Sequence, residues 1–220
     1  MTNGSPSSDR AAHPTSSGVP ETVLAGIEAH LRQREMRRED LYQRARRLRR
    51  LSQATMTRLH VDGAASAELA EIRRATADLA DWLRREGRGD EPLALDALQE
   101  AVEAILLGAV AAGETFPGPS DLGVDPEPYL LGLGDVVGEV RRRVLDRLGQ
   151  DDVAGAEAEL ALMERLTRAL LRFDTTRAIV QLKPKQDTAR ALLERTRGEV
   201  VMARFLSRLR PKDVPGSGGT

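Results

Sequence analysis

Cysteine is absent from the 220-residue chain. That excludes disulfide frameworks, thiolate nucleophiles and Cys-ligated zinc, and it fits a reducing compartment. Aromatics are nearly as scarce, with one Trp, two Tyr and three Phe making 3%, so β-rich architectures built on aromatic and β-branched strands are disfavoured. Long apolar runs are missing too. The longest uncharged one, Ala104 to Gly113, falls well short of the roughly 20 residues a membrane helix requires. The N-terminus lacks an apolar signal core, so the expectation is a soluble, cytoplasmic protein with no membrane partner. Histidine occurs only at His13, His30 and His60, with no H-x-x-x-H or H-E-x-x-H pair, and His30 and His60 read as partly exposed helix residues. Glycine-rich phosphate loops are also missing, which argues against P-loop and Rossmann functions.

What is present is Ala, Leu, Arg and Glu in quantity, a composition that points to helices. Hydrophobic residues make up 40%, enough to bury the core of one medium domain or two small ones. The net charge of −1 conceals 33 basic and 34 acidic residues, and 30 of the basic ones are arginine, the lysines being Lys183, Lys185 and Lys212. Local clustering therefore matters more than the total.

Residues 1–20 and 211–220 are rich in Ser, Thr, Pro and Gly and read as disordered tails. Between them, over 21–210, apolar residues recur at three- and four-residue steps. Leu24, Ile27, Leu31, Leu41, Ala45, Leu48, Ser52 and Leu59 define one long first helix, ended by Asp62-Gly63. A second helix carries Leu69, Ile72, Leu79 and Leu83 and stops in Arg85 to Asp90. Pro92 suits the first turn of a third, which runs to about Ala112. The segment GETFPGPSDLGVDPEP then reads as the longest internal loop. A fourth helix runs from Pro126–Pro128 through Leu148. Gly149 reads as its C-cap and Asp152 as the N-cap of a fifth helix reaching Phe173. The segment Asp174 to Lys183 is ambiguous, because Pro184 fits either the first turn of a last helix ending near Leu209 or a kink in a longer one. No alternating strand pattern and no fixed-period repeat occurs, so the fold expected is an all-α, single-domain bundle of six or seven helices.

Two stretches could carry chemistry. On the third helix Glu100 and Glu103 stand one turn apart, with Asp96 a further turn away, a stripe that an ordinary solvated face also explains. On the fourth, YLLGLGDVVGEV sets Asp135 and Glu139 at i,i+4 among apolar residues. Gly132, Gly134 and Gly138 interrupt that helix at roughly 1 kcal/mol each relative to Ala. Three such glycines imply that another backbone or a ligand approaches closely and brings the two acids to a neighbouring helix. Four gathered carboxylates suit a hard cation such as Mg²⁺, with Mn²⁺ as the alternative, and such sites serve phosphoryl chemistry without His or Cys. Two unrelated acidic faces explain the pattern equally well. The other stretch is LRQREMRREDLYQRARRLRR in the first helix, where Arg37, Arg38, Arg44, Arg46, Arg47, Arg49 and Arg50 fall all around the axis. Some of these must be solvated or paired, and the rest could line a phosphate track with weak sequence preference, since Tyr42 is the one aromatic among them.

The order of these features resembles the translin and TRAX (translin-associated factor X) family. REDLYQRARRLRRLSQATMTRLH, LQEAVEA, PYLLGLGDVVGEVRRRVLDRL and the Pro184 to Met202 helix carry the resemblance, which spans most of 21–210; YLLGLGDVVGE is its most specific part. The resemblance implies an all-helical, translin-like protomer that forms a hollow octamer and binds single-stranded RNA or DNA inside. For the TRAX-like catalytic branch it further implies Mg²⁺-dependent endoribonuclease activity, with Glu100, Glu103, Asp135 and Glu139 as the acidic catalytic and metal-holding positions. Where eukaryotic members have an Asn-Ser-Val and a Gly-Asp turn, this chain has Leu145 to Asp151, a departure that withholds any nucleotide-binding role from that turn. Eukaryotic enzymes mix two kinds of subunit, whereas a chain carrying both the Arg-rich helix and the acid set could form a homo-oligomer. A non-cutting nucleic-acid-binding shell and a helical scaffold are the competing expectations.

Overall fold

The computed structural model describes residues 18–87, 91–173 and 180–209. Most of the two expected tails, and residues 174–179 of the ambiguous segment, lie outside the described residues. Among the described residues there are seven helices and no strand: α1 (Glu21–Asp62), α2 (Ser66–Glu86), α3 (Pro92–Ala112), α4 (Pro119–Leu122), α5 (Pro126–Gly149), α6 (Val153–Leu170) and α7 (Leu182–Leu209). None is long and apolar enough to cross a membrane.

The helix stops follow local chemistry. Gly63, Gly87 and Gly113 take positive φ values of 68°, 63° and 67° after α1, α2 and α3, the left-handed conformation in which glycine ends helices without strain. After α5 the expectation fails in detail. Gly149 is still helical, and the left-handed residue is Asp151, at φ 60°. Asp152 then caps α6 as expected, its carboxylate accepting from the Gly155 backbone N–H at 2.8 Å. Helix α6 ends at Leu170 instead of Phe173, and the Gln186 side-chain amide donates to the carbonyls of Leu170 and Phe173 at 2.9 and 2.8 Å. Those bonds occupy carbonyls left free at the helix end. The long loop contains the short helix α4, which the Gly/Pro density of that segment concealed. Pro184 sits in the first turn of α7, where its missing N–H costs nothing.

The chain forms two compact units, Met1–Asp40 and Leu41–Thr220. Of the first, the described part is helical from Glu21 and bears an exposed apolar stripe of Val23, Leu24, Ile27 and Leu31. The second buries a continuous core contributed by Leu41, Ala45 and Leu48 of α1, Ile72 and Leu79 of α2, most of α3, Val136, Val137 and Val140 of α5, Met163 of α6 and Leu182 of α7. Each large apolar side chain fully buried there contributes about 1.5–3 kcal/mol. Helix α5 packs against α3, α6 and α7, and α2 packs on α3. Arg141 fastens α5 to α7 by donating to both Glu199 oxygens at 2.8 and 2.9 Å, and Arg143 fastens α5 to α6 through Glu159. Toward its C-terminus α7 carries a second uncovered stripe of Val201, Met202, Phe205, Leu206 and Leu209.

Candidate active site

The close approach of α3 and α5 rests on Gly132. A Cβ at that position would stand 2.7 Å from the Gln99 carbonyl oxygen and 2.9 Å from a Val102 methyl, so glycine lets the two backbones meet where any other residue would hold them apart. Gly134, on the next part of the turn, receives the stem of Lys185 from α7, while a Cβ at Gly138 would meet open space. The expectation of a close neighbour along α5 thus holds at two of the three glycines.

Across this contact the structure brings Asp135, Glu139 and Glu100 each within electrostatic reach of Glu103. The Glu103 carboxyl is pushed up from 4.5 to about 7, first by burial, then by Asp135 and Glu139, with Glu100 adding a smaller push and the Lys185 ammonium opposing. Burial and like charge both favour the neutral acid. Each of the other three acids has a cationic or hydrogen-bonding partner. Arg49 lies 2.9 Å from Glu100, and His60 Nε2 lies 2.7 Å from Glu139 Oε2. Asp135 accepts from the Gln99 amide at 2.6 Å and from Lys185 Nζ. Among the described residues Glu103 makes no hydrogen bond or ion pair. Asp96 remains exposed and joins none of this.

Sequence reasoning missed Gln99, His60 and Lys185. His60 is the partly exposed helix residue expected, 25% exposed on its side chain, and what the sequence does not reveal is its bond to Glu139, which arises because the end of α1 passes beside α5. Lys185 did carry a signal, being one of three lysines in a chain with 30 arginines. Its partner lies 50 residues away, a distance no local pattern bridges.

The arginines of α1 separate into groups. Arg44 donates to Asp78 at 2.7 Å and lies over the Trp82 ring at 5.8 Å, Arg47 pairs with Glu71, and Arg49 with Glu100. These three are held by the body of the protein. Arg46 and Arg50 are exposed and one turn apart, with no ion-pair partner among the described residues, and Tyr42 lies exposed a turn earlier. In the N-terminal unit Arg37 and Arg38 are likewise exposed. Next to Glu139 a cavity of about 340 Å³ opens, lined in part by His60, Arg142, Arg143 and Arg147. Arg142 has only a 3.8 Å contact with Asp146.

The donor set fits a hard divalent cation: all oxygen, more negative charge than its neighbours offset, and a half-buried carboxyl held neutral to near pH 7. Among the described residues no group of three His, Asp or Glu side chains is already arranged to hold a metal ion, and the partners named above account for where those carboxylates are engaged.

This is an all-helical protein with a cluster of four carboxylates between two central helices, flanked by cationic side chains. No family model matches the chain. The uncharacterized protein MJ0175 of Methanocaldococcus jannaschii is 38% identical over 104 residues, 47% of each chain; this chain therefore spans about half the length of that curated relative. Three solved structures share the fold. NeC3PO in its apo form superposes with a TM-score of 0.74 at 21% identity, covering 86% of this chain and all of that one. AfC3PO in complex with duplex RNA gives 0.66 at 28%, covering 85% and 99%, and AfC3PO alone gives 0.67 at 30% over the same shares. On that identity and coverage the chain belongs to the translin family.

Proposed function

We propose that the protein is an Mg²⁺-dependent endoribonuclease, the TRAX-like catalytic kind of translin-family subunit, which binds single-stranded RNA within a homo-oligomeric shell and cleaves it. One observation carries this reading: Glu103 is half-buried, unpartnered and surrounded by Asp135, Glu139 and Glu100, an arrangement that costs stability unless a cation completes it. The similarity to AfC3PO, solved with duplex RNA, supports RNA as the ligand. Mn²⁺ would fit the same oxygens.

In this reading Asp135 and Glu139 from α5 and Glu100 and Glu103 from α3 hold the ion. When bound, Mg²⁺ supplies an activated water and stabilises charge on the phosphate and the leaving oxygen. Glu103, half-buried beside the other three, would hold the ion or orient the attacking water. Gln99 and His60 orient Asp135 and Glu139 through the hydrogen bonds described above. The cavity beside Glu139, lined by Arg142 and Arg147 together with Asp62 and Asp146, offers room for a flanking nucleotide.

The deciding experiment incubates purified protein with a labelled single-stranded RNA and the matching duplex, in Mg²⁺ and in EDTA. Cleavage of the single strand in Mg²⁺ alone supports the reading. Binding without cleavage favours a non-catalytic single-stranded RNA or DNA shell, the second reading, which the lack of a preformed three-ligand group among the described residues supports. No binding at all would leave a helical scaffold.

Two further outcomes follow. The exposed apolar stripes of the N-terminal unit and of α7 are surfaces of the kind that a second copy of the chain covers. Light scattering should therefore report a stable homo-oligomer of the 24.0 kDa chain, an octamer in our reading. A monomer at micromolar concentration would sink the shell.

RNA binding should also weaken with salt. Replacing the unpaired Arg46 and Arg50 together by Gln should flatten the log–log salt slope by about 1.4, at about 0.7 per phosphate contact on single strands. An unchanged slope would make these residues a solvated face.

A further inference from the structure

We infer that Lys185 is a displaceable counter-cation of the acidic site: it holds Asp135 while no divalent ion is bound and must release that carboxylate when one binds. The inference deepens the proposed cation-binding role of the four carboxylates and rests on it.

Lys185 stands in the first turn of α7, next to a stretch anchored by the buried Leu182. Its stem lies against α5 at Gly134, where a Cβ would come within 3.0, 3.2 and 3.4 Å of Lys185 Cβ, Cγ and Cδ. An alanine there would crowd the stem, so the glycine forms a seat for this side chain. Seated in this way, the ammonium reaches Asp135 Oδ1 while the Gln99 amide occupies Oδ2. Both oxygens of Asp135 therefore face donors. An incoming divalent ion would meet a positive charge already on the carboxylate it needs, and two cations on one carboxylate repel.

The choice of lysine in an arginine-rich chain follows from the same demand. A guanidinium fork grips a carboxylate through two parallel bonds and resists release, whereas an ammonium is a compact point charge on a flexible stem. At about a third exposed on its side chain, Lys185 can return its charge to water without a large desolvation cost. Arg49 on Glu100 and His60 on Glu139 neutralise neighbouring acids, but neither is seated against a glycine of α5. Lys185 is thus a positioning residue, which keeps Asp135 in place within a repulsive cluster until the ion takes over.

The test measures Mn²⁺ binding to the full-length protein by the electron paramagnetic resonance signal of the free ion, which requires no catalytic activity. Lys185→Met and Lys185→Gln should each lower the half-saturating Mn²⁺ concentration, by about tenfold, because the competing charge is gone. Lys185→Arg keeps the charge and should not tighten binding. Far-UV circular dichroism confirms that each variant is folded, and the Gln variant preserves the test if the Met variant is not. Unchanged or weaker Mn²⁺ binding in a folded neutral variant, with the parent still binding, overturns the role of Lys185 and leaves the cation site standing. Absence of Mn²⁺ binding to the parent at millimolar concentration overturns both.

Discussion

Glu103→Gln and Asp135→Asn should each reduce Mg²⁺-dependent RNA cleavage by about a hundredfold or more while leaving the fold intact. Both substitutions keep the side-chain volume and remove one negative charge from the cluster. Catalysis falls because cation occupancy and transition-state stabilisation are lost together, and every 1.4 kcal/mol or so is a factor of ten. RNA affinity should be retained or rise slightly, since the exposed Arg46 and Arg50 of α1 take no part in the acidic cluster and repulsion of phosphates decreases. Single-turnover cleavage and binding, measured side by side with the parent, make the comparison. Cleavage within about threefold of the parent in both variants would assign the activity to another site, and the non-cutting shell would become the better reading.

The same Glu103 substitution should stabilise the cation-free protein at pH 8. The native carboxyl titrates near 7 against an ordinary 4.5, with burial the main cause. A raised folded-state pKa means that the neutral form is the favoured native form. Its stabilising contribution is complete below about pH 4.5, is lost as the pH climbs toward 7, and is gone above that. At pH 8 the parent therefore carries an ionised carboxylate that the fold disfavours. At about 1.4 kcal/mol per pKa unit the shift is worth about 3 kcal/mol, which partial exposure reduces to about 2. Glu103→Gln should thus raise the melting temperature in EDTA at pH 8 by about 4–8 °C at fixed protein concentration, and by little at pH 5. Adding Mg²⁺ at pH 8 should raise the parent far more than the variant, because the ion binds the folded site and offsets the same repulsion. An equal difference at pH 5 and pH 8 would show that the effect is packing and would remove the electrostatic account of the site. A gain in stability together with a loss of cleavage is the pattern expected where function keeps a costly group in place.

Several elements were legible along the chain. The Leu41, Ala45, Leu48, Ser52 and Leu59 series is the buried face of α1, because a helix stacks every third and fourth residue on one side. Pro92, Gly113, Asp152 and Pro184 mark helix ends through φ restriction, left-handed freedom and side-chain capping, which act within a few residues. Gly149 misled for the same reason. Its freedom to adopt a left-handed conformation allows a stop there, but Asp151 supplies it, and only the path of the chain into α6 selects between them. The apolar series of Leu24, Ile27 and Leu31 was periodic without being core: these residues are exposed, and periodicity alone reports a face without saying what covers it.

By itself the sequence determined an all-helical translin-family protein with two acidic pairs, Glu100/Glu103 and Asp135/Glu139, each set on one helix face by i,i+3 or i,i+4 spacing. The tertiary structure decided what those pairs are. Gly132 lets α3 and α5 approach until four carboxylates share one field. The end of α1 delivers His60 to Glu139, and the start of α7 lays Lys185 over Gly134 onto Asp135. It also divided the arginines of α1 into those spent on Asp78, Glu71 and Glu100 and those left facing solvent. The division has a physical cause. Helical spacing and capping are short-range properties of neighbouring residues, whereas a pKa, an ion pair across 50 residues and the seat of a lysine on a glycine depend on packing between distant segments.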